Sequence, residues 1–135
     1  MSDLFTLEIA TPERLLVSEL ASEAQIPARG GEIGGRPLHA PLITELGIGT
    51  LTYVAGGRRR QIAISGGVAE LQPSRVRVLD DAAEPAEEID PSRAQEALRR
   101  ASQRLAGPAL GVDVGRALNA LRRAQNRLRA AGLSQ

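Results

Sequence analysis

Ile89-Asp90-Pro91-Ser92-Arg93-Ala94 is the joint of the chain. Before it, short alternating runs are broken by Gly and Pro. After it, apolar residues recur at helical spacing in a background of Ala, Leu and Arg. Asp90 followed by Pro91 is a helix start. A carboxylate there accepts from backbone N–H groups that the first turn leaves without partners, and the φ of proline suits the first helical position. The joint therefore divides a β part from a helical part. The expected organisation is a β-sandwich over 1–83, a linker over 84–90 and a helical hairpin over 91–135.

Working upstream, Val76 and Val78 alternate with Arg75 and Arg77, Ile62 and Ile64 share a face, and Leu51 and Tyr53 alternate with Thr50, Thr52 and Val54. Near the start, Phe5, Leu7 and Ile9 alternate with Thr6, Glu8 and Ala10. This is the period-two signature of strands. Thr11–Arg14, Gly56-Gly57, Gly66-Gly67 and Pro73-Ser74 supply the turns between them. Leu15-Leu16-Val17 reads as a short buried run, and Leu20, Ala24 and Ile26 read as one face of a single run. Gly30–Pro41 reads as turns and close backbone approach. Short strands at roughly ten-residue spacing make a sandwich or a barrel.

Downstream, Ala94, Ala97, Leu98, Ala101 and Leu105 form one helical stripe, and Gly107-Pro108 ends it. Asp113 is the expected N-cap of a second helix that presents Val114, Ala117, Leu118, Leu121, Ala124 and Leu128. Two such helices joined by a short turn form an antiparallel hairpin. Its seam is mostly alanine and buries little area at about 25 cal/mol per Å². The hairpin is therefore expected to lean on the sandwich or on a partner, and to be able to let go.

Composition narrows the function. The chain has 135 residues and 42% apolar content, enough for one packed domain with an appendage. There is no cysteine, and Phe5 and Tyr53 are the only aromatics. Disulfides, thiol nucleophiles, zinc–thiolate sites and an aromatic platform for single strands are excluded. No apolar run approaches the length of a membrane span, and Met1-Ser2-Asp3 opens without a secretory pattern, so a soluble cytoplasmic chain is expected. The 17 basic residues are all Arg. From Arg93 onward, 9 of them face only Glu96 and Asp113. A basic helical arm on a neutral-to-acidic body suits an anionic partner.

Catalytic constellations are missing. His39 is the only histidine, and neither a Gly-x-Ser-x-Gly elbow nor a phosphate-binding loop ending in Lys-Ser/Thr occurs. No metal site or required cofactor is expected. Two rivals to a docking subunit are a nucleic-acid-binding module that uses the Arg-rich hairpin and a small hydrolase built around His39.

The order of parts resembles the epsilon-subunit family of bacterial F-type ATP synthases, to which the chloroplast epsilon subunit is closely similar. The resemblance rests on Gly31-Glu32-Ile33-Gly34, Pro37-Leu38-His39-Ala40-Pro41-Leu42, Ser65-Gly66-Gly67-Val68-Ala69-Glu70-Leu71-Gln72-Pro73, the joint and the hairpin, in that order. Leu38 stands where the family has Gly. A leucine takes positive φ only at a cost, which bears on the loop geometry and on the contact made through His39.

The resemblance implies a mainly β fold with an α appendage: a ten-stranded sandwich followed by the two-helix hairpin. It implies a non-catalytic rotor subunit, peripheral on the cytoplasmic face of the bacterial plasma membrane. The partners would be the gamma subunit, the c-ring, and the alpha and beta subunits. Glu32 would face the c-ring and His39 would face gamma. The hairpin would inhibit ATP hydrolysis when extended, with Arg116, Arg122, Arg123, Arg127 and Arg129 meeting an acidic surface.

In ATP-binding members the pattern Ile/Leu-Asp-x-x-Arg-Ala opens the first helix, as Ile89, Asp90, Arg93 and Ala94 do here. Arg100, Arg123 and Arg127 follow on the helices, and Glu84 lies upstream. At ~100° per residue Arg93 and Arg100 share an edge of the first helix, and Arg123 and Arg127 are i, i+4 neighbours on the second. The two pairs could converge on a triphosphate, with Asp90 accepting from the adenine amino group. ATP would then be a regulatory ligand, not a substrate.

Overall fold

The computed structural model describes residues 4–35, 41–107 and 113–132. The chain divides into two compact units, Met1–Pro85 and Ala86–Gln135.

The first unit holds ten strands: β1 (Phe5–Ala10), β2 (Leu15–Ala21), β3 (Glu23–Ala28), β4 (Gly31–Gly35), β5 (Leu42–Leu46), β6 (Gly49–Ala55), β7 (Arg58–Ile64), β8 (Gly67–Gln72), β9 (Arg75–Asp80) and β10 (Glu84–Pro85). They run in the order β10-β7-β6-β3-β5-β8-β9-β1-β2, with β4 also paired to β3. The β1–β9 pair is parallel and the other pairs are antiparallel. β3 and β5 share a single register pair, Ala28 with Leu46. The sheet bends at that corner and folds over itself, bringing β2 close to β6. The result is a two-layer sandwich, with β4-β3-β6-β7-β10 against β5-β8-β9-β1-β2.

Alternation fills the space between the layers. Phe5, Leu7 and Ile9 of β1, Leu51 and Tyr53 of β6, Leu71 of β8, and Val76 and Val78 of β9 point inward and are buried. The strands legible as alternating runs are therefore the ones that carry the core.

Four local expectations need correction. The run read through Leu20, Ala24 and Ile26 is two strands. Ser22 interrupts it, with its N–H donating to the Val54 carbonyl, so the inward set passes from Val17 and Ala21 to Ala24 and Ile26. Leu20 is left pointing outward, 58% exposed. Leu15 is not buried either. The register slips at Ile9/Ala10, which sets Leu15 opposite Ala10 on the outer face and turns Leu16 toward the core. Gly31–Gly35 is not only a turn: it pairs along β3 from Ala28 to Ala24. Backbone pairing needs no side chain, so a glycine-rich strand leaves almost no hydrophobic signal. Finally, Glu84 and Pro85 are not free linker. They pair with Ala63 and Ile62 of β7 at the edge of the sheet, where the missing N–H of proline costs no ladder bond.

In the second unit, Ala86–Glu88 makes one 3₁₀ turn, and α1 (Pro91–Ala106) and α2 (Val114–Ala130) pack along one another. Asp90 caps α1, accepting from Ser92 N at 2.9 Å and Arg93 N at 3.3 Å. Asp113 caps α2 by accepting from Arg116 N at 3.0 Å. The α1 stop includes Gly107, whose N–H donates to the Gln103 carbonyl; Pro108 lies outside the described residues. Ala94, Ala101, Ala117, Ala124 and Leu128 are buried. Val114 and Leu118 were expected in the same seam, but they are 55% and 36% exposed. They flank Ala117, which takes the buried position in that turn of α2.

Candidate functional site

The hairpin and the sandwich each carry a surface built for contact. On the hairpin, Ser92, Arg93, Glu96, Ala97 and Arg100 of α1 and Arg127 of α2 line a groove of about 270 Å³. Helical spacing puts Arg93, Glu96 and Arg100 on one edge, and packing of α2 along α1 adds Arg127 from the other side. Three guanidinium forks and a hydroxyl suit an anion with several oxygens. Glu96 tempers that charge. It is ion-paired with Arg99 and lies 3.7 Å from Arg100. The Arg99 hydrogen bond, helped by the nearby Arg100 charge, holds the Glu96 carboxyl below the usual glutamate range.

The arginines expected to converge do so in part. Arg93, Arg100 and Arg127 share the groove, whereas Arg123, half-buried on α2, is not among its lining residues. Ile89 and Ala94 are buried at the start of α1. Asp90 is exposed and its Oδ1 is engaged in the helix cap. Glu84 belongs to β10 in the sandwich unit. The remaining arginines assigned to an inhibitory contact, Arg116, Arg122 and Arg129, are exposed on α2. Glu96 was missed, although its i+3 and i+4 spacing to Arg99 and Arg100 was readable.

On the sandwich, the outer face of β5-β8-β9-β1-β2 carries an apolar row. Val68, Leu79, Ala10 and Leu15 lie side by side across β8, β9, β1 and β2. Val68 is 42%, Leu79 58% and Leu15 57% exposed. Beside this row runs a charged one, in which Glu8 accepts from Arg77 at 3.2 Å and lies 3.6 Å from Arg75. An exposed apolar row rimmed by paired charges has the composition of a protein interface. Its signal was visible in Leu79, an apolar residue at an outward position. Glu32 is exposed on β4, opposite Pro27 of β3. His39 and Leu38 lie outside the described residues.

Among the described residues no cluster of His, Cys, Asp or Glu could hold a metal ion, and no helix is long and apolar enough to cross a membrane. Fold and surfaces together define a docking subunit made of a β-sandwich and an arginine-bearing helical hairpin.

Comparison with known proteins makes this specific. Residues 4–86 match the family described as "ATP synthase, Delta/Epsilon chain, beta-sandwich domain", and residues 87–132 match its "long alpha-helix domain". The chain belongs to the ATP synthase delta/epsilon family. It is 50% identical over 105 residues to the ATP synthase epsilon chain of Koribacter versatilis, covering 78% of this chain and 74% of that protein. It is 53% identical over 103 residues to the epsilon chain of Solibacter usitatus, covering 76% and 77%. Among solved structures it is similar to a chain of the Euglena gracilis mitochondrial ATP synthase, described as OSCP/F1/c-ring in rotational state 1. There the TM-score is 0.82 and the identity 26%, with 97% of this chain and 82% of that one covered. Its role is that of an epsilon-type subunit of an F-type ATP synthase. The nucleic-acid reading of the Arg-rich hairpin finds no support in these relatives.

Proposed function

We propose that the sandwich docks this subunit on the rotor through the apolar row Val68–Leu79–Ala10–Leu15, which receives the gamma subunit, while the Glu32 end of β3–β4 stands on the c-ring at the cytoplasmic face of the bacterial plasma membrane. The carrying observation is the row itself: large apolar side chains exposed side by side on one outer sheet face. His39 is assigned to the gamma contact on the family resemblance alone. The solved F1/c-ring assembly that contains a similar chain supports this reading. Purification of the synthase with Leu79→Asp or Val68→Asp tests it. Both sites are exposed, so the variants fold, and association with gamma falls about tenfold or more, as expected for a charge set into an interface core. Unchanged association would place gamma elsewhere.

The hairpin serves as a nucleotide-sensitive brake. The groove lined by Arg93, Arg100 and Arg127 holds the phosphates of ATP, with Asp90, Ile89 and Ala94 near the base and Glu84 and Arg123 outside the lining set. ATP favours the closed pair of helices and so shifts population; it is not consumed. Released, the hairpin reaches the alpha and beta subunits, and Arg116, Arg122, Arg123, Arg127 and Arg129 meet an acidic surface. Titration calorimetry of the full chain should give heat at millimolar ATP, lost in Arg93→Ala and Arg127→Ala. Absence of heat in the unaltered protein would end the nucleotide reading. ATP hydrolysis by the whole complex should rise when residues 88–135 are removed.

A further inference from the structure

Asp80 is the last residue of β9 and faces inward, in line with Val76 and Val78. It is 3% exposed. One carboxyl oxygen, Oδ2, accepts from the backbone N–H of Ser65 at 3.0 Å. The other, Oδ1, is buried with no hydrogen-bond partner among the described residues. A carboxylate usually gathers several donors when buried, because an ionised group out of water is costly unless paired.

Among the described residues, no cation acts on Asp80. Gly67 of β8 lies opposite Asp80 in register, and Leu46 of β5 lies opposite Gly67. β1 ends at Ala10, opposite Leu79. Inward positions of β7 near its end are Ile62 and Ile64. The charged neighbour that acts on Asp80 is Asp81: its carboxylate disfavours ionisation, while its backbone N–H favours it. Glu13 and Arg14 of the β1–β2 turn and Glu45 of β5 are exposed.

Asp80 sits at a seam. The Ser65-Gly66-Gly67 turn is pressed against the end of β9 so closely that a Cβ on Gly67 would lie 2.0 Å from the Leu79 carbonyl oxygen. The Ser65 hydroxyl reaches the Ala82 carbonyl at 3.5 Å. From there the chain runs through Ala83, buried in the core, to β10 and out of the sandwich.

We propose that Asp80 is a proton-operated clasp: the neutral carboxyl closes the seam between the Ser65–Gly67 turn and the segment that leaves the sandwich, and ionisation loosens it. Burial is the leading influence on Asp80 and raises its pKa above 3.8; the backbone N–H groups of Ser65, Asp81 and Ala82 oppose this without overcoming it. The folded state therefore holds the proton more tightly than the unfolded chain. The stabilisation is fully present below the unfolded value and is lost as pH rises through the folded one. The device is independent of how gamma or ATP bind, because it rests on the sandwich interior alone.

Two measurements on the full chain test it. Carboxyl-carbon NMR of the unaltered protein should show Asp80 titrating above the ordinary value of 3.8, and protection of the Ser65 amide, corrected for intrinsic exchange, should fall along the same titration. In parallel, Asp80→Asn keeps the shape without the charge. Its melting temperature should exceed that of the unaltered protein by a few degrees above the titration midpoint, with the gap closing as pH falls. Titration at or below the ordinary value, or a gap that does not change with pH, overturns the proposal. If Asp80→Asn fails to fold, the NMR titration and amide exchange of the unaltered protein decide alone.

Discussion

The Tyr53 hydroxyl donates to Glu19 Oε2 at 2.7 Å, tying β6 to β2 across the two layers of the sandwich. These strands are far apart in the sheet order and meet only because the sheet folds over at β3–β5. Tyr53 is 2% exposed, so its ring is core and its polar tip reaches the rim. Tyr53→Phe should keep the ring packing and lose this tie. A loss of about 1 kcal/mol in urea unfolding is expected for one side-chain hydrogen bond at the rim. Equal stability of the two proteins would show that the tie contributes nothing.

Gly67 and Gly30 both lie at strand or turn positions, yet they should respond differently to alanine. Gly67 has φ +132° and no room for a Cβ beside Leu79. Backbone strain alone costs about 1–3 kcal/mol, and the collision adds to it, so Gly67→Ala should lower the melting temperature markedly or prevent folding. Gly30 has open space within 4 Å and no positive φ. Gly30→Ala should leave thermal unfolding almost unchanged.

Asp90 can be tested as a cap separately from any nucleotide role. Asp90→Ala removes the acceptor for Ser92 N and Arg93 N and should cost about 1 kcal/mol, seen as lost helicity and a lower melting point. Asp90→Asn keeps an acceptor and caps about as well. If Asp90→Asn melts like the unaltered protein but binds ATP more weakly, the carboxylate does more than cap. If both properties are retained, Asp90 is a cap only.

Glu96 sets the sign of the groove. The Arg99 hydrogen bond holds its carboxyl below the usual glutamate range. Glu96→Gln should therefore free Arg99 and Arg100 and tighten binding of a polyphosphate severalfold at low salt, with little change in stability because water screens exposed ion pairs. Calorimetry in low and high salt checks this. Weaker binding in the variant would mean that Glu96 orients the arginines rather than screening them.

Much of this architecture could be read along the chain. Phe5-Leu7-Ile9, Leu51-Tyr53 and Val76-Val78 declared their inward faces, because a strand with one buried face must alternate. Asp90-Pro91 and Asp113 declared the helix starts, because free N–H groups need an acceptor nearby. The Arg93–Arg100 edge followed from helical spacing, but that Arg127 lines the same groove and Arg123 does not came only from the packing of α2 along α1. What only the tertiary structure decided depends on distant partners. Gly31–Gly35 became a strand because β3 lay beside it. Leu15 and Leu20 turned outward because a register slip and Ser22 shifted their phase. Glu84-Pro85 joined the sheet because the edge of β7 was open. Asp80, a polar residue at an inward position, acquired its meaning from a turn fifteen residues earlier. Local patterns record what a residue requires of its own element; which element comes to lie beside it is settled when the whole chain packs.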